Sequence, residues 1–160
     1  MSIRVVFLGT SGAIPTLERS LPAVLIQRGN ELLMLDCGEG VQRQMLRAKV
    51  GFHKKTKILL SHLHGDHVLG LPGLLQTMAL LDRKRAVDVY GPEGTAAFLT
   101  CVQEALHFGL TFDVFVHEVQ DAGTVCDEEE YVVSAVWANH VTPTLAYAFT
   151  EKTRPGKFYP

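Results

Sequence analysis

Ser61-His62-Leu63-His64-Gly65-Asp66-His67 places three histidines and one aspartate within the six positions 62–67, directly after the apolar run that ends at Leu60. In extended backbone, residues two apart point the same way, so His62 and His64 can address one ion together. Gly65 lets the chain bend and turns Asp66 and His67 toward a different point. Four ligands so close in sequence crowd a single tetrahedral shell, and two adjacent ions share them more easily. Imidazole and carboxylate without thiolate suit zinc, manganese or iron, zinc being the commonest choice. The isolated histidines His53, His107 and His117 read as ordinary surface or core residues.

Working outward, Lys57 to Leu60 is a short strand that feeds the cluster. Ile3 to Leu8 is a β-branched, apolar run closed by Gly9, and reads as a buried strand. Ala23 to Gln27 and Glu31 to Leu35 flank Gly29-Asn30 as a hairpin. Gly40 to Ala48 reads as a helix after the acidic Glu39. Leu69 to Leu81 repeats apolar residues at mixed helical spacing, with Pro72 tolerable only in a first turn. Val87 to Tyr90 is a strand, and Pro92 to Leu106 a helix with Gly109 beyond its end. Val114 to Val119, Tyr131 to Trp137 and Leu145 to Thr150 alternate as strands do. Strands followed by alternating strand and helix predict a layered α/β domain over residues 1–160.

The bulk properties exclude several classes. At 160 residues and 47% hydrophobic, the chain can bury roughly 70% of its unfolded surface without disulfide staples. Its apolar runs fall short of a membrane span, and the N-terminal run is too short for a signal peptide, so a cytoplasmic location with no membrane contact is expected. Cys37, Cys101 and Cys126 are odd in number and lack CxxC spacing, and read as reduced thiols. A net charge of −2 provides no global basic footprint, so any nucleic-acid substrate needs a local patch or a further segment.

His62-Leu63-His64-Gly65-Asp66-His67 matches the HxHxDH signature of the metallo-β-lactamase superfamily. Four further neighbourhoods narrow the match. They are Phe7-Leu8-Gly9-Thr10, Leu35-Asp36-Cys37-Gly38-Glu39-Gly40, His67 through Leu75 with Gly70-Leu71-Pro72-Gly73, and Val89-Tyr90-Gly91-Pro92. With Tyr147 through Lys157, including Arg154-Pro155-Gly156-Lys157, the chain resembles ribonuclease Z, the endonuclease family that trims the 3′ trailer from precursor tRNA. The resemblance implies an αββα sandwich, here mainly its first sheet and helices. It implies that His62, His64 and His140 hold one zinc and that Asp66 and His67 hold a second. It casts Asp66 as proton acceptor for the attacking water, and places Asp36 near the ligands without making it one. On its own, His140 reads equally well as a loop histidine. Hydrolysis would leave a 3′-hydroxyl on the tRNA.

The match departs from the family in two places. Leu17 and Ser20 stand where the family's early tRNA-holding loop carries Lys and Asn, although Arg19 is kept. Family members also continue past Arg154-Pro155-Gly156-Lys157 into a tRNA-gripping arm and a second half with further ligands, whereas this sequence stops at Pro160. Three readings follow: a ribonuclease Z or its N-terminal half, another phosphodiesterase of the same fold acting on cyclic nucleotides or other small phosphodiesters, or a metal-binding piece without turnover. A half sandwich is also expected to leave one sheet face bare and to pair into a homodimer.

Overall fold

The computed structural model describes residues 2–153. The motif Arg154-Pro155-Gly156-Lys157 lies outside them. Strand β1 (Ile3–Gly9) pairs antiparallel with β2 (Ala23–Arg28), which turns through Gly29 and Asn30 into β3 (Glu31–Leu35). Gly29 takes a left-handed φ of 55°, so the Gly-Asn order puts the residue without a Cβ where the turn needs it. After helix α1 (Val41–Arg47), strand β4 (Lys55–Leu59) joins β3 in parallel. Beyond the histidine cluster come α2 (Gly65–Val68), α3 (Gly70–Leu80), β5 (Val87–Gly91), α4 (Thr95–Leu106) and β6 (Val114–Glu118). Parallel pairing of β4 with β5 and of β5 with β6 completes a six-stranded sheet in sequential order.

Strand alternation divides the apolar residues between two cores. Leu25, Leu32, Met34, Ile58, Val87 and Val89 face α1 and α3, whose Val41, Met45, Leu71, Leu74 and Met78 pack onto them. Their neighbours Leu33, Leu59 and Tyr90 face the other way, toward Cys126, Tyr131 and Val133. Each such side chain, fully buried, contributes about 1.5–3 kcal/mol of transfer free energy. Pro72 sits in the first turn of α3, where its missing N–H costs no helical bond.

The second layer is a three-stranded antiparallel sheet of β7 (Gly123–Asp127), β8 (Tyr131–Ala138) and β9 (Thr144–Glu151). It covers much of the face expected to be bare. The exposed remainder includes Val5 and Phe7 on β1, 52% and 69% accessible, and Phe115 on β6, 52% accessible. Two elements escaped the sequence pattern. Strand β7 is short and mostly polar, with a register irregularity between Thr124 and Cys126, and α2 is a four-residue turn too short for periodicity to register. No described helix is long and apolar enough to cross a membrane. Arg83 is fully buried after α3, donating to the carbonyls of Phe52, Arg85 and Ala86 at 2.5, 2.5 and 3.0 Å. Burial, reinforced by Arg85, lowers its pKa to about 10, so it stays charged at neutral pH.

Candidate metal centre

Parallel strands deliver their C-terminal ends to one edge of a sheet, and two such ends build this site. The carbonyl of Leu59, at the end of β4, accepts from the Asp36 N–H at 2.9 Å, just after β3. Asp36 takes a left-handed φ of 58°, a conformation Asp tolerates better than most residues. That bend aims its carboxylate at the next loop. One oxygen accepts from the Ser61 backbone N–H at 2.7 Å. The other lies 3.0 Å from Ser61 Oγ and 2.7 Å from His67 Nδ1.

Close backbone packing then seats α2 and α3. The Cys37 N–H donates to the His67 carbonyl at 2.7 Å, and the Gly70 N–H donates to the Cys37 carbonyl at 2.9 Å. A Cβ at Gly70 would lie 2.0 Å from the Gly38 carbonyl oxygen, so a side chain there would push α3 off the loop. The Asp-Cys-Gly and Leu-Gly-Leu-Pro-Gly neighbourhoods are therefore the two sides of one contact.

The histidines converge. His62 Nε2 and His64 Nδ1 lie 3.0 Å apart, and the ligand atoms of His62, His64 and His140 all fall within 4.8 Å of one another. Among the described residues this is the one group of three or more His, Cys, Asp or Glu side chains so disposed. Four nitrogens around one zinc at about 2.0–2.1 Å would stand about 3.4 Å apart, so modest rotation of the rings meets the requirement. His62 is only 6% accessible, and burial pushes its pKa down, with His67 and His64 adding to the effect. That favours the neutral ring a metal needs. The donor set fits a divalent cation.

Asp66 and His67 form a second, smaller pair. The hydrogen bond to Asp36 through Nδ1 raises the His67 pKa and leaves Nε2 facing Asp66 Oδ2 at 3.3 Å. A carboxylate on one imidazole nitrogen, orienting the other toward a cation, is the usual arrangement around ligating histidines. All five histidine and aspartate positions expected from sequence lie in this one region, in two subsets. Two supporting residues were not assigned roles in advance. Ser61 Oγ lies 2.9 Å from His62 Nδ1, and the Tyr147 hydroxyl donates to the Leu60 carbonyl at 2.9 Å. Ser61 adjoins the motif and was legible as a neighbour; Tyr147 lies 87 residues from Leu60 and carried no local signal. His117 joins no such group: it stacks on Tyr90 and pairs with Asp88 at 3.0 Å. Cys37 and Cys126 are buried and Cys101 is exposed, all three as free thiols.

The family described as "Anti-Pycsar protein Apyc1" matches residues 3–149. Ribonuclease Z of Methanosarcina acetivorans is 45% identical over 98% of this chain and 51% of its own length. The crystal structure of human tRNase Z, short form, superposes with a TM-score of 0.87 at 34% identity, covering 94% of this chain and 66% of that one. The metallo-β-lactamase fold protein YhfI from Bacillus subtilis superposes with a TM-score of 0.71 at 20% identity, over 92% of this chain and 58% of that one. The chain spans about half the length of the curated relatives it matches.

Proposed function

For a chain that belongs to the family described as Anti-Pycsar protein Apyc1 and is built on the metallo-β-lactamase fold, we propose the role of a ribonuclease Z-type endoribonuclease that removes the 3′ trailer from precursor tRNA. The observation that carries the reading is the convergence of His62, His64 and His140 beside the Asp66–His67 pair, in a chain similar to ribonuclease Z over 98% of its length. In this reading the first three residues hold one zinc ion, and Asp66 and His67 contribute to a second. Such ions supply Lewis-acid activation of water and neutralise charge on the phosphodiester. The protein's own part is to fix those ligands and move a proton. Ser61 and Asp36 orient His62 and His67, and Asp66 accepts the proton of the attacking water.

A homodimer fits the apolar face left on β1, where Val5 and Phe7 lie open. We place the protein in the cytoplasm as the site of tRNA maturation. The test is Asp66→Ala in a complete processing enzyme that includes this chain. The cleavage rate should fall at least about 100-fold in single-turnover assays, while precursor-tRNA affinity at fixed salt changes little, because phosphate contacts dominate that affinity. A near-normal rate would remove Asp66 from the chemistry.

A second reading, another phosphodiesterase of the metallo-β-lactamase fold acting on a small substrate, rests on the same histidine cluster. Parallel assays on precursor tRNA and on a cyclic nucleotide separate the two, since each reading requires turnover of its own substrate.

A further inference from the structure

We propose that Tyr147 is a positioning residue for the metal centre: its hydroxyl pins the second sheet to the strand end from which His62 and His64 depart. The inference rests on the metal-centre reading above and adds to it the device that sets the distance between its two halves. His62 and His64 follow β4 in the first sheet, whereas His140 follows β8 in the second. The ligand set therefore straddles two layers, and its geometry depends on how those layers register at this edge.

Two hydrogen bonds cross between them here. The Tyr147 hydroxyl donates to the Leu60 carbonyl at 2.9 Å, and the Leu145 N–H donates to the Ser61 carbonyl at 2.8 Å. Both acceptors immediately precede His62. Both donors lie on β9, which pairs with β8 along its length; Leu145 stands opposite Trp137 and Thr144 opposite Ala138, two residues before His140. The Tyr147 ring packs against the cluster that holds Leu59, Tyr90 and Val133 and against that of Val119, Ala135 and Leu145, so the hydroxyl is held on a stiff side chain. Burial, with Asp36 nearby, raises its pKa, which keeps it protonated as a donor. The sheets also meet far from the histidines, where Arg28 of β2 binds Glu130 and Glu151. Those contacts hold the layers together without fixing the ligands.

Tyr147→Phe keeps the ring and removes only the oxygen. Zinc affinity by chelator competition should fall about tenfold, in the range found for groups that orient metal ligands. The visible spectrum of the cobalt-substituted protein should change in band position and intensity. Arg28→Met should lower the melting midpoint yet leave affinity and spectrum at wild-type values. Wild-type affinity and spectrum in Tyr147→Phe, or an equal loss in Arg28→Met, would overturn the proposal. If the wild type binds zinc no better than the His62→Ala/His64→Ala double variant, the metal-centre reading fails instead. In the metal-free protein, Tyr147→Phe should also speed exchange of the Leu145 amide about tenfold, and unchanged exchange would show that the hydroxyl pins nothing.

Discussion

Where β4 begins, cations of the first sheet meet carboxylates of the second. Lys57 lies 2.6 Å from Glu128, Lys55 lies 2.8 Å from the same residue, and Arg28 binds Glu151 at 3.2 Å and Glu130 as well. Where β4 ends, the same sheets bring together imidazoles: His62, His64 and His140, with no acid among the three. The first end neutralises itself, so Arg28 and Lys57 can be almost wholly buried as charged groups. The second end gathers donors of one kind around a point that none of them fills. A cluster that satisfies its own charge stabilises the fold, whereas neutral nitrogen donors converging on one point suit a cation. The geometry of the two ends thus gives stability to one and makes the other a candidate metal centre.

That contrast can be broken most sharply at the histidines. Replacing His62 and His64 together by Ala should reduce zinc affinity at least about 100-fold, since it removes two of three donors. Metal-free stability should hold or rise slightly, because a buried and a half-buried imidazole facing one another contribute little. Metal analysis and a urea melt on the same samples check both statements, and a large loss of metal-free stability would mean the cluster is structural.

The opposite result is expected at the charged end. Arg28→Met should cost about 2 kcal/mol in a urea melt, less than for a wholly buried pair because Glu130 and Glu151 retain some solvent. Metal content should stay unchanged.

The smallest effect is a matter of pH. Burial pushes the Glu128 carboxyl up, but hydrogen bonds from Lys55 and Lys57 outweigh it and hold the pKa at about 2, below its ordinary value of 4.5. A lowered folded-state pKa means stability that is complete above pH 4.5 and is lost as pH falls toward 2. Glu128→Gln should lower stability at neutral pH and flatten this part of the acid limb. Melting midpoints measured from pH 6 down to about 2.5 would show the two curves converging. Parallel curves would assign the acid limb to other carboxylates.

Much of the architecture was legible because its signals are local. The apolar alternation of Ile3–Gly9 and Glu31–Leu35, the Gly29-Asn30 turn and the position of Pro72 each act over a few residues. The same is true of His62, His64, Asp66 and His67, whose density within six positions marks them as candidate ligands before any fold is known. His140 needed the family resemblance, since a single histidine after a strand has no spacing to read. Strand β7 and the second sheet's coverage of the first were missed because Gly123–Asp127 has neither length nor alternation, and it forms a strand only where β8 offers a partner.

The sequence by itself marked His62, His64, Asp66 and His67 as candidate ligands crowded into six positions and laid out most of the strands and helices, all consequences of neighbours along the chain. Tertiary structure alone decided that His140 stands 5.0 Å from His62 ring to ring, that Asp36 orients His67, and that Tyr147 reaches Leu60. It also decided that a charged Arg83 lies fully buried against three carbonyls. Each of these depends on where separate strands end in space. Hydrogen bonds and metal bonds are short-ranged and directional, so they form only after burial of apolar strand faces has brought distant segments within reach.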